Sequence, residues 1–151
     1  MKSATHTDRN GNKVATSFEI TSEVRRLQAF YNGLSRGKDQ ILLYLAEVYK
    51  TDKRLRTQQK RDVLQQIHED LNLTLDARVS SSPYRLLIEL TCTCNIKLRS
   101  RYANALMFAR HMQWTSAQLQ NLIAENGGIE KCARAYLRVK NRQNNIDHRL
   151  A

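Results

Sequence analysis

The stretch from Thr115 to Arg142 reads TSAQLQNLIAENGGIEKCARAYLRVKNR, and it contains the clearest helix start, stop and restart signals in the chain. Thr115 is a residue type that caps helices, and the apolar residues after it recur at helical spacing as far as Asn126. Gly127 and Gly128 supply the backbone freedom to leave that helix. A second amphipathic helix follows at once. The stretch therefore predicts two helices joined by a glycine turn.

The second of these helices carries a row of basic residues. They follow one another at steps of three and four, which places them on one helical face: Lys131, Arg134, Arg138 and Arg142. A short helix, a glycine turn and a basic helix resemble a helix-turn-helix in outline, although the two glycines and the immediate restart depart from its usual register. The pattern favours nucleic-acid binding, and the alternative is a solvated surface helix.

The charge balance of the whole chain favours the same class of partner. Lys and Arg number 25 against 14 Asp and Glu, which gives a formal net charge of +11. Such an excess attracts polyanions, so we expect nucleic acid, and duplex DNA in particular, as the partner. No apolar run approaches the length that spans a bilayer, so we expect no membrane partner. An acidic protein partner is the alternative.

Few residues interrupt helices, since the 151 residues include only five Gly and one Pro. The sequence predicts an all-α protein, a compact bundle of about six helices that ends in the helix-turn-helix-like pair. We expect one domain, residues 17–142, with N-terminal helices in 17–72 and C-terminal helices in 83–142. Residues 1–16 are expected to be a disordered tail, and 143–151 a frayed tail.

Periodic apolar residues place the other helices. The first helix is expected to begin near Thr21, and two more are expected at Asp39 to Lys50 and at Thr57 to Leu71. A fourth helix should begin at Pro83, and a fifth should run from Ile96 to Gln113. After Pro83 a strand is the alternative, because Thr91, Cys92 and Thr93 are poor helix formers. We prefer a helix there because no partner strand is evident.

Two further groups of basic residues extend the predicted binding surface. One lies in the most basic run of the chain and comprises Lys53, Arg54, Arg56, Lys60 and Arg61, and the other comprises Lys97 and Arg101, one helical turn apart. Non-specific affinity grows with the number of phosphates that such residues neutralise. For the first group a solvated linker is the alternative.

The polar N-terminus shows no signal peptide, which predicts a cytoplasmic protein. The chain has three cysteines, an odd number that cannot all form pairs within it, and we expect all three to be reduced thiols. Cys92 and Cys94 form a C-x-C pair, to which Cys132 and His111 could add zinc ligands. That spacing is unusual for a structural zinc site, and apolar packing explains buried cysteines equally well. We expect no metal and no cofactor.

No catalytic constellation is visible, so we do not expect an enzyme. The two adjacent glycines follow a helix and lack the strand that precedes a phosphate-binding loop. His68 lies among the polar residues Gln66, Glu69 and Asp70, and we expect it to be a surface histidine.

The expected function is therefore that of a DNA-binding protein in transcription regulation or an accessory role. The alternative is a small helical interaction or inhibitor protein. Its docking surface would be Met107, Phe108 and the alanine-rich seam of their helix, which could also serve as a homodimer contact. RNA binding is a third interpretation, less favoured because no aromatic-bearing sheet is visible.

Overall fold

The computed structural model describes residues 6–7, 13–14, 17–35, 37–55, 58–71 and 82–150. In this part of the chain the helices are α1 (Ser17–Asn32), α2 (Lys38–Arg54), α3 (Gln58–Asp70), α4 (Pro83–Thr91), α5 (Ile96–His111), α6 (Leu119–Glu125) and α7 (Ile129–Leu150). The all-α prediction, with about six helices and a helix–turn–helix pair at the end, is confirmed. None of the described helices has the length and apolar character needed to cross a membrane.

A short antiparallel ladder precedes the helices. It pairs β1 (His6–Thr7) with β2 (Lys13–Val14), so that His6 lies opposite Val14. Both strands fall in the segment for which the sequence predicts a disordered tail, and the rest of that segment lies outside the described residues. The disorder of this tail stays a prediction.

The chain divides into two compact units, an N-terminal unit (Met1–Thr93) and a C-terminal unit (Cys94–Ala151). The boundary follows α4, so this helix belongs with α1, α2 and α3, whereas the sequence analysis grouped it with the C-terminal helices. The expectation that 17–142 behave as one domain stays a prediction.

In the N-terminal unit, α1 contacts α2, α3 and α4, and its apolar stripe lies in the core. The fully buried side chains include Ile20, Leu27, Tyr44, Leu45, Leu64, Tyr84, Leu87 and Ile88. Helix α4 begins as its sequence indicates, because the Ser82 hydroxyl accepts a hydrogen bond from the Arg85 N–H at 3.3 Å and Pro83 occupies the first helical turn. The alternative of a strand at Pro83–Thr91 is therefore excluded.

Arg26 ties α1 to α2 in the N-terminal unit. Its guanidinium donates to Glu23 at 2.9 Å, to Glu47 at 3.0 Å and to the Thr51 hydroxyl at 2.8 Å. Because the side chain is 39% exposed, solvent screens these ion pairs and each contributes less than about 1 kcal/mol. They fix the orientation of two helices that the apolar core already holds together.

The structure corrects the expectation for His68. Its side chain is only 1% exposed, and its Nε2 lies 3.3 Å from the carbonyl oxygen of Leu86 on α4. The prediction of a surface histidine is therefore wrong. The polar neighbours lie on the exposed side of α3, whereas His68 follows the fully buried Leu64 by four residues and so shares its face.

The structure also corrects the expectation of three reduced thiols, because Cys92 and Cys94 are disulfide-bonded. Cys132 is the free cysteine, and it is buried. The backbone leaves α4 in an extended conformation at Cys92, with φ −106° and ψ 130°.

In the C-terminal unit the main packing is that of α5 against α7. The buried side chains of α5 are Tyr102, Ala103, Ala105, Leu106 and Ala109, and those of α7 are Cys132 and Ala133. Small residues on both helices permit a close approach of α5 and α7. Met112, the residue after the end of α5, is 50% exposed.

The turns before and after α6 are held by hydrogen bonds between residues that are close in the sequence. Thr115, the predicted cap, lies one turn before α6, whose N-cap is Gln118 with no side-chain cap hydrogen bond. Thr115 and Gln118 instead close a turn with two hydrogen bonds, from the Gln118 N–H to the Thr115 hydroxyl at 3.3 Å and from the Thr115 N–H to the Gln118 side-chain oxygen at 3.4 Å. After α6 the Gly128 N–H donates to Ile123 and the Gly127 N–H to Ala124, the two hydrogen bonds of a Schellman motif. This motif ends α6 at the predicted position.

Helix α7 is longer than the periodicity of its sequence predicts. It continues to Leu150, past the end predicted at Arg142, so that the polar residues of the expected frayed tail are helical. After Gly128 the chain contains no Gly or Pro that would stop the helix.

Candidate nucleic-acid interface

The basic stripe of α7, defined as Lys131, Arg134, Arg138 and Arg142, lies on the surface. All four side chains are exposed. At a rise of about 1.5 Å per residue the stripe extends about 16 Å along the helix. It can therefore contact several successive phosphates of one strand.

The glycine turn positions the first cation of the stripe. Gly127 has φ +94°, and a β-carbon at this residue would lie 2.3 Å from Cδ of Lys131. The aliphatic part of the Lys131 side chain thus folds back over the turn. Gly127 is needed both for its backbone conformation and for the space that Lys131 occupies.

Arg134 forms the one ion pair found within the described part of the stripe. Its guanidinium donates to Glu130 at 2.8 Å, one turn earlier, and the two side chains are 64% and 54% exposed. An exposed pair of this kind is weak, so it leaves Arg134 able to contact a phosphate. Glu130 itself lies in the first turn of α7, where the helix dipole favours an acidic residue.

A groove between α5 and α7 brings two of the predicted basic groups together. Its volume is about 340 Å³, and it is lined by Lys97, Ser100, Arg101 and Asn104 from α5 and by Glu130, Ala133, Arg134 and Leu137 from α7. Lys97 and Arg101 therefore face the same space as Arg134. Three cations and one carboxylate give the lining a net positive charge.

The apolar part of this lining is Ala133 and Leu137. Ala133 is buried under the packing of the two helices, whereas Leu137 is 44% exposed. The α5–α7 groove thus combines cations on both walls with an accessible apolar side chain. Ser100, Asn104 and Leu137 were not among the residues predicted from the sequence, although Ser100 and Asn104 lie three and seven residues after Lys97, on the same helical face.

Positive charge is concentrated in the C-terminal unit. Cys94–Ala151 contains ten Lys and Arg against three Asp and Glu, a net charge of +7, while Met1–Thr93 contains fifteen against eleven, a net charge of +4. The smaller unit therefore carries the larger excess, and the field that attracts a polyanion is strongest around it.

The basic group of the N-terminal unit is less available. Lys53 lies 4.5 Å from the centre of the Tyr49 ring, and Arg54 donates to Glu23 at 3.3 Å. Arg61 is exposed on α3. Arg56 lies outside the described residues, as does the side chain of Lys60.

Other reactive groups of the C-terminal unit are protected. Burial raises the pKa of the Cys132 thiol, so it stays protonated and unreactive near neutral pH. Burial also raises the pKa of Tyr136, against the opposing effect of the Arg110 charge. Among the residues that the structure describes, no three His, Cys, Asp or Glu side chains are grouped so as to hold a metal ion.

Comparison of the chain with protein families, curated proteins and solved structures finds no match.

Proposed function

We propose that this chain is a nucleic-acid-binding protein, with DNA as the principal ligand, that acts in a regulatory or accessory role in the cytoplasm. The interface is the α5–α7 groove together with the basic stripe of α7. The observation that supports the proposal is the placement of Lys97 and Arg101 opposite Arg134, on the unit with the larger positive charge.

The geometry favours contacts to the phosphate backbone. The cations of the stripe are exposed and spaced along about 16 Å of helix, and phosphate contacts supply most of the affinity of non-specific binding. The face of α7 that carries Cys132 and Ala133 is not available to a ligand, because these residues are buried where α7 packs on α5. The cations of the stripe lie on exposed positions of the helix.

The test compares two charge-reversal variants. Arg134→Glu with Arg138→Glu changes the interface, and Lys53→Glu with Arg54→Glu is the matched control, because both variants lower the net charge by the same amount. Each also breaks one exposed ion pair, with Glu130 in the first case and with Glu23 in the second. Circular dichroism checks that both remain helical.

We expect the interface variant to lose binding of labelled duplex and single-stranded DNA in fluorescence anisotropy, and the control to bind nearly as the wild type does. For the wild type, log affinity should fall linearly with log salt, with a slope of about −0.9 per phosphate contact on duplex DNA. Equal weakening by both variants would show that only the global charge matters. If the wild-type protein binds no nucleic acid, an acidic protein partner is the better proposal.

A further inference from the structure

We infer that the nucleic acid held in the α5–α7 groove is a single strand, an inference that rests on the proposed function. The α5–α7 groove is small, because its volume of about 340 Å³ equals that of a cube with an edge of about 7 Å. A B-form duplex, whose major groove alone is about 12 Å wide, is too large to enter this space, whereas a segment of a single chain is not.

The distribution of charge supports the same ligand. Lys97 and Arg101 line the groove from α5 and Arg134 lines it from α7, so that cations lie on both sides of it. A single phosphodiester chain laid along the groove contacts both sides. The one carboxylate in the lining, Glu130, is paired with Arg134 at 2.8 Å, which reduces its repulsion of a phosphate.

The accessible apolar side chain of the groove favours a single strand over a duplex. Leu137, on the α7 side of the lining, is 44% exposed, and a purely phosphate-binding surface needs no apolar side chain. A duplex hides its base faces by stacking, while the base faces of a single strand are open to contact with side chains of a protein groove. In this arrangement Leu137 is the contact for a base face, and the half-buried Asn104, which also lines the groove, supplies an amide for a base edge.

The experiment measures the affinity of the full chain for a single-stranded oligothymidine and for a mixed-sequence duplex of equal length, by anisotropy at several salt concentrations. Two pairs of variants are compared. Leu137→Ser removes the apolar side chain of the groove, and Ile146→Ser is its control, since Ile146 is 52% exposed on the same helix but outside the lining. Arg101→Gln removes a wall cation, and Arg110→Gln removes an exposed cation of α5 that does not line the groove.

We expect the single strand to bind at least tenfold more tightly than the duplex. Leu137→Ser should weaken single-strand binding several-fold and leave duplex binding unchanged, while Ile146→Ser should change neither. Arg101→Gln should lower the salt slope on single strands by about 0.7, and Arg110→Gln should lower it less.

Two results separate the failure of this inference from that of the proposed function. If the duplex binds as tightly as the single strand, and Leu137→Ser behaves as Ile146→Ser does, the single-strand inference is wrong while nucleic-acid binding stands. If neither oligonucleotide binds to the wild-type chain, both fail. Circular dichroism of all four variants verifies that a loss of binding is not a loss of fold.

Discussion

His68 on α3 donates a hydrogen bond from Nε2 to the carbonyl oxygen of Leu86 on α4, at 3.3 Å. Because a carbonyl only accepts, the proton of the neutral imidazole lies on Nε2, and Nδ1 is left as an acceptor. Nδ1 is buried, and no hydrogen-bond partner for it occurs among the described residues. Burial lowers the pKa of His68, against the smaller opposing effects of the Leu86 carbonyl and the Glu89 charge.

The lowered pKa of His68 predicts that the N-terminal unit loses stability on acidification. The unfolded chain gains a proton on His68 below about pH 6.5, its ordinary pKa, while the folded chain remains neutral to lower pH. The free energy of unfolding should therefore fall as the pH drops below about 6.5, by at most about 1.4 kcal/mol per pH unit from this group. Urea denaturation at several pH values between about 7.5 and 5.5 measures this pH dependence of the free energy of unfolding.

The variant His68→Gln tests the assignment, because it keeps a donor and removes the titration. Its free energy of unfolding should depend less on pH in this window than that of the wild type. His111→Gln is the matched control, since His111 is exposed at the end of α5. An unchanged pH dependence in His68→Gln would contradict the prediction.

A second prediction concerns the hydrogen bond between Tyr44 and Thr91, which joins α2 to α4. The Thr91 hydroxyl donates its only proton to the Leu87 carbonyl at 2.7 Å, so the Tyr44 hydroxyl is the donor to Thr91. Tyr44→Phe should lower the free energy of unfolding by about 0.5–1.5 kcal/mol. Tyr31→Phe is the control, because the Tyr31 ring packs edge-on against Tyr44 at 5.0 Å and phenylalanine keeps that packing. Equal losses in both variants would argue against the assignment.

A third prediction separates the two roles of Gly127. Gly127 and Gly128 have φ of +94° and +100°, so alanine at either should cost about 1–2 kcal/mol in stability through backbone strain. Only at Gly127 does the added β-carbon also meet the Lys131 side chain. Thermal melts should show a further loss for Gly127→Ala that Lys131→Ala removes, while Lys131→Ala should not rescue Gly128→Ala. Rescue of both variants, or of neither, would contradict this role of Lys131.

A fourth prediction concerns Phe108 and Trp114, whose rings meet edge to face with centroids 5.5 Å apart. Trp114 is the single tryptophan and is 8% exposed, so its fluorescence should be blue-shifted and resistant to iodide quenching. A double-mutant cycle with Phe108→Leu and Trp114→Leu should give a coupling of about 0.5–1.5 kcal/mol. Independent effects of the two changes would mean that the ring contact contributes nothing beyond burial.

The sequence predicted those features that depend on neighbours within about six residues. The hydrogen bonds between Thr115 and Gln118 are local, and so is the Schellman motif at Gly127 and Gly128. The end of α6 and the start of α7 could therefore be predicted from residue types alone. Periodicity likewise placed α2, α3 and α5 to within a few residues. It failed at the C-terminus, because a polar segment without a stop signal gives no sign of where its helix ends.

Only the tertiary structure decided which side chains meet. His68 is buried on α3 and bonds a carbonyl 18 residues away on α4, whereas its polar sequence neighbours indicated an exposed position. In the same way the basic stripe was visible in the sequence, but its pairing with Lys97 and Arg101 around Leu137 required α5 to pack against α7. Periodicity identifies the face that a helix buries, and the contact itself is set by the partner helix, whose position no local pattern encodes.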